Sequence, residues 1–308
     1  MKIIYGFIIF CLVLFIYLHI NFHLKTSNDL EIFEIDQVCK QKMEDILDMR
    51  QPVLLDNDED INRIVQTTNI SNLLDLYPTF DVKTRNIGDK QLTYLPLSLR
   101  LANKLLEEDK ESKYFSENNM EFLKETGAIK NIQYNDSFYR PNLVSNCNYD
   151  ILCGSKGCTT PFRYEINYRN FFVVTQGSVS IKLSPPHSKK YLYPEYDYEN
   201  FEFKSPINPW IVDKKYMADF EKVKCLEITL VPGKILYIPS YWWYSIKFSE
   251  NTSITTLFYR TYMNNIAISP YIAMYMLQNQ NIKRNYTKKI ENNNKTNENN
   301  LNDKIISN

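Results

Sequence analysis

Arg163 and Glu165 stand two residues apart in the run TPFRYEINYRNFFVVT, so on an extended strand their side chains share one face. A guanidinium and a carboxylate placed that way can pair with each other, or the planar arginine fork can grip the carboxylate or phosphate of a ligand. Metal chemistry has less to draw on. The chain has three histidines, and His19 and His23 lie in or beside an apolar N-terminal run, leaving His187 alone in the body. Cys147, Cys153 and Cys158 are spaced C-x5-C-x4-C, which misses the C-x2-C pairs of zinc modules. A Cys153 to Cys158 bridge across the GSKG loop is an alternative use of two of them. No G-x-S-x-G elbow occurs, and one histidine gives a serine or cysteine triad little support. The carboxylate runs Glu107-Glu108 and Asp58-Glu59-Asp60 fall in polar stretches where solvated charge is the norm.

Lysine plus arginine equals aspartate plus glutamate, 36 each, so no global field favours nucleic acid. Only 7 glycines occur against 23 tyrosines and 17 phenylalanines, and neither G-x-G-x-x-G nor G-x-x-x-x-G-K-[ST] is present. Dinucleotide and P-loop folds are thereby set aside.

The elements that would position Arg163 and Glu165 are short apolar runs divided by turns: DILC, FFVVT, SVSIKL, CLEITLV, ILYI, YSIKF and SITTLFY. Gly177 and the Pro232-Gly233 pair punctuate them, and Ser178 to Leu183 alternates, which indicates an antiparallel barrel or sandwich. Before them come a short strand EIFEI, a helical stretch at Lys42 to Met49, a buried strand in QPVLLDN, and helical patterns at Ile61 to Leu76 and Leu97 to Glu108. The expected class is α+β, with helices outside a β core.

Ile3 to Ile20 carries no charge and is long enough to cross a hydrocarbon core as one helix. A cleaved signal would have a shorter apolar core and a small-residue cleavage site, and none follows. Lys2 and Lys25 flank the run almost evenly, whereas sequons at Asn69, Asn135, Asn251, Asn285 and Asn294 favour a lumenal, glycosylated domain. Beyond Gln278 the chain is polar and asparagine-rich and cannot bury enough surface to order itself. The expected organisation is an anchor at 1–25, a helix-rich part at 26–140, a barrel core at 141–265, a short helix at 266–278 and a disordered tail at 279–308.

Two segments, TPFRYEINYRNFFVVTQGSVSIKLSPP from Thr160 and LVPGKILYIPSYWWYSIKF from Leu230, resemble signatures of the JmjC and cupin-like 2-oxoglutarate-dependent oxygenases, most closely the asparaginyl-hydroxylase type. The tyrosine-rich YLYPEY after a double proline, the last strand Ser253 to Tyr259 and the early QPVLLDN follow the same order. The resemblance implies a double-stranded β-helix, a jelly-roll barrel with flanking helices.

In that family an H-x-D pair and a later histidine form the facial triad that holds Fe(II). The resemblance places Arg163 and Glu165 at the H-x-D positions and Tyr244 at the distal histidine. Arginine has no lone pair to donate, and three histidines in the whole chain cannot rebuild the set. Of the co-substrate positions, Thr160 and Asn170 remain, while Val179 stands where a lysine is expected. We therefore expect no iron and no 2-oxoglutarate, with an Arg163–Glu165 ion pair filling the old metal cavity. The chain then reads as a membrane-held pseudoenzyme that binds a protein or glycan partner. Its alternatives are a hydroxylase with an atypical site and an anion-binding module using Arg163. Tyr241, Trp242 and Trp243 are expected to be core packing, His187 an exposed loop residue, and Tyr191 to Phe203 a surface insertion.

Overall fold

A computed structural model describes residues 2–36, 38–56, 59–89 and 93–281. Helix α1 (Lys2–Leu24) leads to β1 (Phe33–Ile35), α2 (Lys40–Leu47), β2 (Val53–Asp56), α3 (Glu59–Thr68) and α4 (Ile70–Leu76). Strands β3 (Asp81–Asn86) and β4 (Tyr94–Ser98), helix α5 (Leu99–Glu108), strand β5 (Tyr114–Ser116) and helices α6 (Met120–Glu125) and α7 (Ile129–Asn135) follow. The rest is mainly β: β6 (Val144–Gly154), β7 (Phe162–Tyr164), β8 (Arg169–Gln176), β9 (Val179–Ser184), β10 (Glu195–Asp197) and β11 (Glu202–Ser205). After the single turn α8 (Met217–Phe220) come β12 (Leu226–Leu230), β13 (Lys234–Tyr237), β14 (Trp243–Phe248), β15 (Thr252–Thr261), α9 (Tyr262–Ala267) and α10 (Ser269–Asn281).

The strands form two sheets, of nine in the order β1-β2-β13-β8-β15-β6-β5-β3-β4 and of six in the order β10-β11-β7-β14-β9-β12. The two sheets share one core. On β8, Phe172 and Val174 pack with Ile181, Leu183, Tyr244 and Ile246 of the smaller sheet, while Phe171 and Val173 face the helices with Leu47, Ile64 and Ile132. Burial on both faces explains why FFVVT reads as a continuous apolar run rather than an alternating one. Full burial of a side chain such as Phe172 stabilises by about 1.5–3 kcal/mol. At the β8–β9 turn Gly177 adopts φ +70°, and a Cβ there would come within 2.7 Å of Thr252 Oγ1.

Several local expectations are corrected. The helical pattern from Ile61 to Leu76 is two helices, because Asn69 turns extended (ψ 148°) and its side chain accepts the Asn72 N–H as an N-cap. Leu97 belongs to β4, where it pairs with Val82, so the following helix starts at Leu99. Tyr191 to Phe203 lies at the surface as expected, but part of it is regular: β10 and β11 extend the six-stranded sheet, and Phe203 is fully buried opposite Tyr164. Cys153 and Cys158 are free thiols packed in different cores, Cys153 with the helices and Cys158 between the sheets, so no bridge joins them. The segment Pro270 to Leu277 is helical within α10 and docks through Tyr271 and Ile272, while residues 282–308 of the expected tail lie outside the described residues.

Ile3–Leu24 is long and apolar enough to cross a membrane by length and composition, and among the described residues it is the one such helix. Its C-terminal end is held by the body. The buried Arg50 donates to the Phe22 carbonyl (3.4 Å) and the Tyr168 carbonyl (3.3 Å), its guanidinium lying against the Phe22 and Tyr168 rings.

Candidate functional site

Arg163 lies at the centre of β7, directly opposite Tyr244 on β14 and Lys204 on β11. Residues facing one another across an antiparallel ladder share a face, so Arg163 and Tyr244 both look into the space between the sheets. From the larger sheet, Arg85 on β3, Glu117 just beyond β5, Asp150 on β6 and Arg260 on β15 reach the same cavity, which has a volume of about 120 Å³. Glu202, at the start of β11, completes it.

The charges are interlocked. Arg163 Nη2 donates to Glu117 Oε2 at 2.6 Å and its Nη1 lies 3.7 Å from Glu202 Oε1. Arg85 grips the other oxygen of Glu117 and donates to Glu202 Oε2 at 3.1 Å. Two carboxylates are thus bridged by two arginines, all four largely removed from water. Burial alone would raise the Glu117 carboxyl, but the charges of Arg163 and Arg85 outweigh it and hold it well below the usual carboxylate range.

Glu165 does not pair with Arg163 directly, contrary to expectation. The Tyr244 hydroxyl stands between them, accepting from Arg163 Nε (3.2 Å) and donating to Glu165 Oε1 (2.9 Å). Burial raises the Glu165 carboxyl, with Arg163 only partly opposing, and burial also keeps the Tyr244 phenol protonated. On the far side Asn167 donates to Glu165 Oε2 (3.3 Å) and accepts from Arg260 Nε (2.6 Å). Asp150 accepts the N–H groups of Asn118 (2.7 Å), Asn119 (2.6 Å) and Ile151 (2.8 Å), yet burial still pushes its carboxyl up to about 7.

The Arg163 fork, expected as an alternative anion site, faces Glu117 and Glu202. Of the other expected positions, Thr160 and Asn170 hydrogen-bond to backbone groups. The Thr160 side chain accepts the Ile246 N–H (2.9 Å) and its carbonyl accepts from Ser245 (2.7 Å), holding the entry to β7 against β14. Asn170 is fully buried and donates to the Ile238 carbonyl (3.1 Å). Val179 pairs with Phe248, four residues along β14 from Tyr244, so about 13 Å of strand separates its level from the charged cluster. Trp242 and Trp243 are buried, in the inter-sheet core and on the outer face of the small sheet, and His187 is exposed.

Sequence reasoning missed Glu117, Glu202, Arg85, Asp150 and Arg260. Glu117 sits in the polar run SENNM and Glu202 in a tyrosine- and acid-rich stretch, so neither carries a periodic signal. The one available hint was in the strands: a charged residue at an inward position, as Asp150 and Arg260 are, marks a cavity rather than a core.

Two facing sheets with helices packed outside and a polar cavity between them define a cupin-type domain. The profile of the cupin-like domain family matches residues 40–265, and the chain belongs to that family. Over 103 residues it is 30% identical to HSPB1-associated protein 1 of Rattus norvegicus, covering 33% of this chain and 22% of that protein. Over 114 residues it is 31% identical to JmjC domain-containing protein D of Dictyostelium discoideum, covering 37% of this chain and 25% of that protein. The chain therefore matches about a quarter or less of the length of these relatives.

Proposed function

We propose that this chain is a cupin-like binding protein held at a membrane by α1, with a double-stranded β-helix whose iron position is given over to a buried ion-pair cluster. The observation that carries this reading is Arg163: a residue with only hydrogen-bond donors occupies the first ligand position and is committed to Glu117 at 2.6 Å. The remaining donors do not fit Fe(II) either. Tyr244 is a protonated phenol, Glu165 is a single carboxyl with a raised pKa, and Glu117 is shared between two arginines. The 2-oxoglutarate positions fare no better, Thr160 and Asn170 being spent on backbone groups and Val179 lying remote from the cluster.

A protein partner accords with the printed name of the relatives, which are called HSPB1-associated; placement of the domain in a lumen accords with the sequons. The test is anaerobic titration of the full chain, in detergent, with Fe(II) and 2-oxoglutarate. The expected result is neither stoichiometric metal nor succinate formation. Stoichiometric iron with 2-oxoglutarate turnover would overturn the reading.

A further inference from the structure

The end of α1 is built into the body rather than linked to it. Among the described side chains of α1, those at least half-buried are Ile16, His19, Ile20 and His23, one stripe at helical spacing over the last turns. The apolar stretch Ile3–Leu24 has 22 residues, about 33 Å as a helix, against a hydrocarbon core of about 30 Å. A bilayer crossed by α1 therefore reaches nearly to the residues that the body holds, and what packs beside those last turns lies at headgroup level.

Two segments pack there. Helix α9 lies against α1, and the groove between α1 and the body is lined by Leu18 and Phe22 of α1 and by Leu143 and Met263. The Tyr262 N–H donates to the Leu143 carbonyl at 3.2 Å, so the residue before β6 and the start of α9 form one surface. That surface is apolar and turned outward: Leu143 is 76% exposed, Tyr262 63%, and Ile266, one turn along the same side of α9, 42%. Leu143 also holds a left-handed backbone, φ 53°, which a non-glycine residue adopts only at a cost. Neither core packing nor backbone preference explains a leucine presented in that way. No charged residue occurs from Thr261 to Ile282, so α9 and the helix after it bring no side-chain charge that must stay in water.

We propose that Leu143, Tyr262 and Ile266 form a second membrane contact, seated in the headgroup and upper acyl region of a phospholipid bilayer beside α1. Amphipathic surfaces of this kind enter that boundary by about 5–10 Å, and tyrosine is enriched at the same level. Arg50, which holds the Phe22 carbonyl, keeps the body and the end of α1 at one height. A single helix would let the body pivot; two contacts hold it in one orientation to the bilayer.

This inference rests on the reading of α1 as a membrane anchor, and the experiment separates the two. The full chain is reconstituted in phosphatidylcholine vesicles whose acyl chains carry bromine either near the headgroup or near the methyl end. Tryptophan quenching is read relative to the parent chain, whose Trp242 and Trp243 are buried. Leu143→Trp and Tyr262→Trp should each be quenched, more strongly by the shallow bromine, and Leu12→Trp, near the middle of α1, more strongly by the deep one. Leu101→Trp, exposed on α5 beside β3 and β4 at the far edge of the larger sheet, should be quenched no more than the parent. Leu143→Asp with Ile266→Asp should reduce the quenching of Tyr262→Trp about twofold or more, with thermal unfolding in detergent close to that of the parent. Unchanged quenching in that variant, or quenching of Leu12→Trp alone, overturns the proposal and leaves the anchor in place. No quenching at any of the three positions overturns both. Tryptophans at 143 and 262 that resist aqueous iodide yet ignore the bromolipid also overturn the proposal, because a second copy or another protein then covers the face.

Discussion

Tyr244 lies directly opposite Arg163 in the β7–β14 ladder, and its hydroxyl joins Arg163 Nε at 3.2 Å to Glu165 Oε1 at 2.9 Å. A phenol is inserted where a direct ion pair was expected, and this leaves the outer edge of the Arg163 guanidinium free to reach across the cavity to Glu117 of the other sheet. The two sheets are thereby tied together at the cavity by charge as well as by the apolar core below.

That tie makes Glu117 the most sensitive residue of the cluster. Glu117→Ala would leave Arg85 and Arg163 buried with only Glu202 between them, and breaking a buried pair from one side costs about 3–5 kcal/mol. Urea unfolding of the full chain should show the loss as a lower midpoint with little change in slope. A change below about 1 kcal/mol would mean that the cluster is already open to water.

Tyr244→Phe keeps the ring against Phe172 but removes the bridge. The expected cost is about 1–3 kcal/mol, because Arg163 Nε and Glu165 each lose a partner in a site with little water. Tyr244→Phe combined with Glu165→Leu should recover part of that loss in the same unfolding assay, since the second change removes the stranded acid. Strict additivity of the two would argue against the bridge.

The two sheets were legible because their strands obey simple rules. The runs around Phe171, Ile181, Ile246 and Leu257 are strands as expected, since burial of one or both faces imposes continuous or alternating apolar sequence. The strand at Asp81–Asn86 escaped notice because DVKTRN has a single large aliphatic residue, and its other buried positions are Thr84 on the face of Val82 and Arg85, which serves the cavity, on the opposite face. The site was legible only on the segments with a family pattern. Arg163, Glu165 and Tyr244 do meet, but Arg163 finds its main carboxylate 46 residues upstream, in a loop whose composition resembles any solvated turn. Pairing across two sheets is a tertiary fact, and alternation within one strand cannot supply it.

Asp150 gives the fold a pH dependence of definite sign. Its carboxyl is raised from an ordinary value of 3.8 to about 7 by burial, so the folded state keeps a proton that the unfolded chain releases. Its contribution to stability is full below about 4 and is lost as pH rises to about 7. Unfolding midpoints measured from pH 5 to 8 should fall with rising pH, and Asp150→Asn should flatten the slope without removing it, because Glu165 is raised in the same direction. A slope unchanged in Asp150→Asn would exclude Asp150 as its source.

Gly154 ends β6 against the Phe248 ring of β14. A Cβ there would lie 2.2 to 2.7 Å from atoms of the Phe248 ring, far inside contact distance. Gly154→Ala should cost about 1–3 kcal/mol through overpacking, and Gly154→Ala with Phe248→Leu should recover part of it. If the single variant is neutral by thermal unfolding, the ring has room to move and the packing argument fails.

Under the proposed membrane anchoring through α1, the sequons provide a test of which side the domain occupies, and the structure sharpens it. Asn135 is 6% exposed, and Asn69 caps α4 while donating to the Val65 and Gln66 carbonyls, so an oligosaccharide on either would have to displace native contacts. Asn251 is exposed in the turn before β15. In a chain carrying Asn285→Gln and Asn294→Gln, translation into microsomes should give one glycosidase-sensitive shift that Asn251→Gln abolishes and Asn135→Gln leaves intact. The product should also resist carbonate extraction if α1 spans the bilayer. Absence of any shift, with carbonate resistance retained, would place the domain on the cytoplasmic side. A shift that survives Asn251→Gln would mean that glycans are added before the helices around Asn69 and Asn135 have packed.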